Sequence, residues 1–253
     1  MTILRRAPAL AIALLTATAL HAGQVRVAVA ANLGAPMQRI ASDFGWATGH
    51  EAVVALGSTG RLYAQMRGGA PFEVLLAADQ EVTSRVERDG LAVPGSRFTY
   101  AVGRLVLWSL DPNGVDGQGN VLKRAPHGRL AVADPLLAPY GMAANQTLVR
   151  LGVLPAWQTS LLQGESVAQA YQFVATGSAT LGFIALSQVM SEGRISRGSA
   201  WIVPSQLHDP LRQEAVLLNA GRSNPAATAL MDYLKTEPAR AVLRAYGYEV
   251  PKP

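Results

Sequence analysis

VRVAVAANLGAPMQRIASDF, residues 25–44, is the stretch whose reading decides the fold. Val25 to Ala30 is a short run of β-branched and small residues, the composition of a buried strand. From Pro36 to Ala47 the apolar positions Met37, Ile40, Ala41 and Phe44 recur at helical spacing. The strand–helix unit then repeats. Ala52 to Leu56 reads as a strand, and Gly60 to Arg67 as a helix ended by Gly68-Gly69. Glu73 to Ala77 (EVLLA) is a third strand, followed by a helix over Gln80 to Asp89 that stops at Gly90. Strands alternating with helices predict an α/β chain with a mostly parallel sheet and helices on its faces.

Working outward, Arg104 to Leu110 (RLVLWSL) is another strand, and after a polar, Gly-rich loop from Asp111 to Gly119 the cycle restarts. Strands are read at Leu130 to Ala133, Leu181 to Ala185, Ala200 to Val203 and Ala215 to Asn219. Helices are read at Gly141 to Leu151 and Val167 to Thr176, and the chain closes in a helical hairpin, Pro225 to Lys235 and Glu237 to Tyr246. Two α/β lobes fit this order better than one sheet. Residues 23–103 with 217–253 form the first lobe and residues 104–216 the second. The chain then crosses near Leu105 to Trp108 and again near Glu214 to Leu218. Two crossings make a hinge, with a ligand cleft between the lobes.

Ahead of the first strand, Arg5 and Arg6 precede an apolar stretch from Ala7 to Leu20 and then His21-Ala22-Gly23. A basic start, a short apolar run and small residues at its end are the parts of a secretory leader over residues 1–22, cut after Ala22 or after Ala19. The run is too short for an ordinary membrane span, which needs roughly 20 residues. No later stretch is long and apolar enough to cross a bilayer, so the exported chain is not expected to be membrane-embedded. It has no cysteine, so neither disulfides nor a thiolate metal site can support it, and its 49% hydrophobic content must supply the core. The formal charge of +5 falls to +3 once Arg5 and Arg6 leave with the leader. The remaining basic residues are scattered, without the clustered stripe and stacking aromatics of a nucleic-acid surface.

Four helix starts resemble one another: Ala31-Asn32-Leu33-Gly34, Gly57-Ser58-Thr59-Gly60, Ala138-Pro139-Tyr140-Gly141 and Gly164-Glu165-Ser166-Val167. Each offers small residues, hydroxyls or free backbone N–H groups. A helix N-terminus presents unpaired amides and a partial positive charge, and so holds an anion without a lysine. The hydroxyls of Ser58 and Thr59 and the amide of Asn32 add donors, and glycine beside them allows close backbone approach. Taken singly, each is also an ordinary N-cap. Four together, two per lobe, point to an anion in the cleft, where open α/β sheets place their ligands.

On these segments the chain resembles a known family. VRVAVAANLGAPM (25–37), LGSTGRLYAQMRGG (56–69), APFEVLLAADQ (70–80), residues 130–141, GSATLGFIALSQ (177–188) and YLKTEPARAVLRAYGY (233–248) are similar to the periplasmic molybdate-binding component of ABC importers, across essentially the whole exported chain. The resemblance implies a type II periplasmic-binding-protein fold: α/β, two mixed sheets flanked by helices and joined by a double-strand hinge. It implies a periplasmic monomer that closes on one dehydrated oxyanion, molybdate or tungstate, and docks on permease subunits. No cofactor and no metal-cation ligands are implied. The positions that match the family's ligand contacts are Asn32, Ser58 or Thr59, Tyr140 and Val167, the last two through backbone N–H. Some relatives carry serine at position 32 and a tyrosine donor where this chain has Ala185. Glu73 and Ala77 also depart from the aspartate and serine common in that segment, which is read as structural.

Other readings find less support. His21, His50, His127 and His208 sit in polar or turn contexts and read as solvated surface; no HExxH or paired-histidine spacing exists. Ser58 lies in GSTG, not in a GxSxG elbow, which argues against an enzyme. Asp79 and Asp134 follow strands as caps. Tyr63 and Tyr171 fall inside helices at packing positions, which argues against ferric-iron capture. A binder of another oxyanion such as sulfate, or a sensor domain of the same fold, are the remaining alternatives.

Overall fold

The computed structural model describes residues 22–252. The leader read over residues 1–22 lies outside them but for its last residue. The chain runs β1 (Gln24–Ala30), α1 (Gly34–Thr48), β2 (Glu51–Gly57), α2 (Thr59–Arg67), β3 (Val74–Ala77), α3 (Gln80–Arg88), β4 (Phe98–Gly103) and β5 (Leu105–Ser109). It continues β6 (Leu130–Ala133), α4 (Pro139–Arg150), α5 (Leu154–Trp157), β7 (Leu161–Gly164), α6 (Val167–Ala175), β8 (Leu181–Ala185), β9 (Met190–Ser191), β10 (Arg194–Ile195), β11 (Ser199–Ile202), β12 (Leu211–Leu217), α7 (Pro225–Tyr233) and α8 (Glu237–Ala245).

Two five-stranded sheets result. The first has the order β2-β1-β3-β12-β4, and the second β11-β5-β8-β6-β7. Both are mixed: β1 is parallel to β2 and β3 while β12 runs antiparallel to β3 and β4. In the second sheet β6 is parallel to β7 and β8, and β5 is antiparallel to β8 and β11.

The alternation in β1 explains the layering. Val25, Val27 and Val29 face α1, α7 and α8, packing with Ile40, Phe44 and Leu230. Ala28 faces the other way, where its small side chain leaves room for Leu62 of α2 and Val86 of α3. The second lobe has its own core, with Trp108, Trp157 and Phe183 buried in it. Each buried indole N–H finds a carbonyl: Trp108 Nε1 donates to Arg197 (3.0 Å) and Trp157 Nε1 to Leu122 (2.9 Å). Among the described residues, no helix is long and apolar enough to cross a membrane.

The chain leaves the first sheet at Arg104, the single residue between β4 and β5. Its return differs from the sequence reading. Residues 211–216 were assigned to the second lobe, yet β12 begins at Leu211 and pairs wholly within the first sheet, so the return lies between Ile202 and Leu211. The reason is a polar pair inside the strand. Gln213 and Glu214 look like a loop in sequence, but both are buried and satisfied. Gln213 Nε2 donates to the carbonyls of Ala78 and Leu211, and Glu214 accepts from Thr83 Oγ1, Gln80 Nε2 and Thr99 Oγ1. A β-bulge between Gln213 and Glu214 sets both side chains inward.

Candidate functional site

Between the lobes lies a small cavity lined by Ala30, Ala31, Asn32, Ser58, Thr59, Ala78, Ala138, Pro139, Tyr140 and Val167. The five residues singled out in the sequence therefore share one wall-to-wall space, together with alanines and a proline whose side chains carry no chemical signal in a sequence. None of the ten carries a formal charge. The space left is about 10 Å³ for the centre of a water-sized sphere, roughly one water. A larger interlobe groove, of about 540 Å³, is walled by Asp79, Glu81 and Asp209 and by one cation, Arg85, which is already paired with Glu81. Three carboxylates against one paired guanidinium leave that wall net negative and disfavour an anion there, so the small cavity is the better candidate despite its size.

Positive potential reaches the cavity from helix ends. Ser58 is the N-cap of α2, Ala138 of α4 and Ser166 of α6, and a short 3₁₀ turn, Ala31–Leu33, precedes α1. Thr59, Tyr140 and Val167 thus stand in first turns, where N–H groups have no acceptor within their own helix. In α6 the Ser166 hydroxyl accepts from Gln169 N–H, which leaves the amide of Val167 toward the cavity wall.

The two hydroxyls of α2 differ. Thr59 Oγ1 accepts from Ala78 N–H at 3.1 Å, which fixes the rotamer and leaves its own proton free. Ser58 Oγ is buried and has no hydrogen-bond partner among the described residues, and Ser58 caps nothing with its side chain. A buried hydroxyl left unpaired is costly, and in a native protein it calls for an explanation.

Asn32 behaves differently from its sequence reading as a ligand donor. Gln213 Nε2 is committed to two carbonyls, so Gln213 Oε1 is the edge that faces Asn32. Asn32 Nδ2 therefore donates to Gln213 Oε1 (2.8 Å) and to the Tyr248 hydroxyl (2.7 Å). Both amide protons are spent inside the protein, and what Asn32 offers the cavity is main chain. Its carbonyl accepts from Ser187 Oγ of the second lobe at 2.7 Å, tying the lobes together. Asn32→Ala should accordingly lower stability by roughly 1–3 kcal/mol through the orphaned Gln213 and Tyr248, measurable by thermal or urea unfolding of the ligand-free protein. An unchanged midpoint would refute this bracing role. Gln213, Tyr248 and Ser187 were not singled out from the sequence; a polar pair inside a strand was the available sign.

Tyr140 meets the cavity from the first turn of α4, while its hydroxyl lies against Gly103 at the hinge. Burial pushes its phenol well above the usual tyrosine value, and burial also pushes Tyr248 up to about 12 against the lowering by Ser187, Asn32 and Tyr140. Both phenols stay neutral, and add no negative charge beside the cavity. Ala185 is fully buried in β8 and is not part of the lining. Its N–H donates to Gln188 Oε1 while Gln188 Nε2 donates to the Val167 carbonyl, so this position anchors the start of α6.

Closure is held by further contacts across the cleft. Gly60 N–H donates to the Leu137 carbonyl at 2.9 Å, and Arg61 pairs with Glu165. A Cβ at residue 60 would stand 3.0 Å from that oxygen and 3.2 Å from Leu137 Cα, so the approach requires glycine or a shift of the lobes.

Of the competing groups, Asp79 caps α3 and Asp134 accepts from Leu136 N–H, both structural. Burial raises the Asp79 carboxyl above its ordinary value. Glu73 accepts from Arg26 N–H and Asn224 Nδ2, a structural role as read. Tyr63 donates to Asp89 and Tyr171 stacks on Trp108, both half-buried and away from the cavity. His208 departs from its reading as solvated surface. It is buried, because Gln146 and Arg150 of α4 grip the adjoining Asp209 and pull that turn onto the protein.

Comparison with known proteins identifies the family and the fold. Residues 25–249 match the family described as bacterial extracellular solute-binding protein. The molybdate-binding protein ModA of Azotobacter vinelandii is 54% identical over 234 residues, covering 92% of this chain and 93% of that protein. ModA of Rhodobacter capsulatus is 47% identical over 245 residues, covering 96% of each. The solved structure of an Azotobacter vinelandii periplasmic molybdate-binding protein superposes with a TM-score of 0.86 at 38% identity, over 90% of this chain and 100% of that one. The two mixed sheets and their crossings are those of the type II periplasmic-binding fold. With a match spanning nearly every described residue, the chain belongs to the bacterial extracellular solute-binding proteins, a family that binds and delivers solutes and does not catalyse.

Proposed function

We propose that this chain captures a tetrahedral oxyanion, molybdate or tungstate, in the interlobe cavity and delivers it to the permease subunits of an ABC importer, acting as a periplasmic monomer. The observation that carries the reading is the unpartnered Ser58 hydroxyl, buried in an uncharged cavity where three helix N-termini meet. An oxyanion supplies the acceptor that Ser58 lacks, and also acceptors for the Thr59 hydroxyl and the first-turn amides of Tyr140 and Val167. Hydrogen bonds to a charged oxygen are about twice as strong as neutral ones. A donor set with no arginine avoids the desolvation of a buried cation. The relatives named above for molybdate binding support the ligand class.

Selection among oxyanions of equal charge then falls to size. The cavity as it stands holds about one water, so the lobes must part slightly to seat any oxyanion, and the separation at which every donor on the rigid helix ends reaches an oxygen then decides which anion makes all its bonds. Titration calorimetry on ligand-stripped protein should show one site, tight for molybdate and tungstate and at least tenfold weaker for sulfate and phosphate. Equal affinity for sulfate would overturn the size argument, and no binding of any oxyanion would overturn the reading.

A further inference from the structure

We propose that the end of the chain, Ala245 to Glu249, is a third connection between the lobes, through which Ser187 and Tyr248 act as positioning residues that slow release of the bound oxyanion. The effect on release rests on the oxyanion reading of the cavity; the effect on the lobes does not.

The tail leaves α8 and is held from both sides. On the first lobe, Val102 and Glu249 exchange both main-chain hydrogen bonds, at 2.7 and 3.0 Å, just before the outward crossing at Arg104. On the second lobe, Gly193 N–H, in the turn between β9 and β10, donates to the Ala245 carbonyl at 3.3 Å. Gly247 meets the same lobe with no room for a side chain. A Cβ there would stand 2.6 Å from Met190 Sδ and 2.7 Å from Leu186 Cδ2. The two crossings of the chain are covalent, whereas this strap can be made and broken.

Its centre is a buried polar hub of Asn32, Ser187 and Tyr248. The Asn32 carbonyl accepts from Ser187 Oγ of the second lobe at 2.7 Å. The Tyr248 hydroxyl accepts from Asn32 Nδ2 and holds its one proton within reach of the Asn32 carbonyl (3.0 Å) and of Ser187 Oγ (3.2 Å). Tyr248 thus fixes Asn32 from the first lobe and presents its carbonyl edge to the second. Asn32 lines the oxyanion cavity and the other two do not, so the hub adjoins the ligand while only its main chain meets it.

Position decides what the hub does. Ser187 lies just past Ala185, which pairs with Leu105 at the outward crossing. Displacement is least beside a hinge, so the slight parting that seats an ion leaves the Ser187 bond intact. Full opening stretches it beyond the ~3 Å over which such a bond holds. The bond therefore weighs on the closed state alone, and apparent affinity scales with the closed fraction. Loss of one neutral hydrogen bond corresponds to a shift of roughly 3- to 10-fold.

The chain has no cysteine, so Gln65→Cys on α2 and Val149→Cys on α4, both exposed, place one spin label on each lobe. Distances measured by electron–electron resonance on ligand-free protein should show a closed and an open population, the closed one depleted roughly 3- to 10-fold in Ser187→Ala. Stopped-flow mixing with molybdate should show release faster by the same factor, with the rate of capture unchanged. Ser187→Ala orphans no acceptor, because the Asn32 carbonyl keeps the Tyr248 hydroxyl, so this variant should fold. Ser187→Thr, which retains the hydroxyl, should restore both readings, and Tyr248→Phe is the second arm. A merely structural hydroxyl would lower the melting temperature and move neither reading. Distances unmoved in both variants would overturn the connection, and shifted distances with unmoved release would overturn the role in retention. The label distances need no ligand, so the strap is tested even if the cleft binds no oxyanion.

Discussion

Replacing Ser58 with alanine is expected to weaken molybdate binding by roughly 10- to 150-fold while making the ligand-free protein more stable. The affinity loss corresponds to removal of one hydrogen bond to a charged acceptor, about 1.5–3 kcal/mol. The stability gain comes from the same atom. Ser58 Oγ is buried without a partner among the described residues before the ligand arrives, so its removal should raise stability by about 1 kcal/mol. For a chain of this size that is a rise of about 2–4 °C in melting temperature. Opposite signs separate a ligand donor from a structural hydroxyl, whose loss would lower both quantities. Thermal melts with and without molybdate, combined with calorimetry, measure the pair. A variant that binds as tightly as wild type removes Ser58 from the ligand shell.

Gly141→Ala is expected to have a larger effect, on the order of 100-fold or more in affinity. A Cβ at residue 141 would lie 2.3 Å from the Ala133 carbonyl oxygen, 2.7 Å from its carbon and 2.8 Å from the Asp134 carbonyl carbon. All three are main-chain atoms at the end of β6, so no side chain can turn away. The first turn of α4 must instead move by a substantial fraction of an ångström, carrying the Tyr140 amide with it. Charge-assisted bonds span only about 2.7–2.9 Å, and loss of two of them accounts for the estimate. Overpacking of this kind also destabilises by about 1–3 kcal/mol. Affinity within threefold of wild type would show that α4 does not position the ligand.

Residues 24–88 were the most legible, because β1, α1, β2, α2, β3 and α3 follow one another as short apolar runs and amphipathic stretches, with glycines closing α1, β2 and α2. The same clarity placed Ser58, Thr59, Tyr140 and Val167 at helix starts. Two things escaped. Strand β12 hides its beginning, since Gln213 and Glu214 are buried by partners more than a hundred residues away, and hydropathy cannot see a satisfied polar pair. Strand β4 abuts β5 with only Arg104 between, so one apolar stretch serves two sheets. At the site, the sequence identified Asn32 as an amide donor but not that Gln213 and Tyr248 take both its protons. That depends on which side chains converge, a property of the tertiary fold. His208 is the same kind of case: its burial is decided by Gln146 and Arg150, some sixty residues earlier.

The position of β12 in the first sheet also sets an order of events for the nascent chain. Strand β4 pairs only with β12 in that sheet, and β12 is also the link between β4 and β3. All five strands of the second sheet, by contrast, come from one unbroken segment between Leu105 and Ile202. A chain emerging N-terminus first can therefore assemble its middle while its beginning still waits for a distant strand. Pairings over such separations close large loops and form slowly. The final brace arrives last of all, when Tyr248 reaches Asn32 across the length of the chain. Capacity to hold a solute is thus acquired only when synthesis is nearly complete, and a chain cut short near its end would keep a folded middle without a finished receptor.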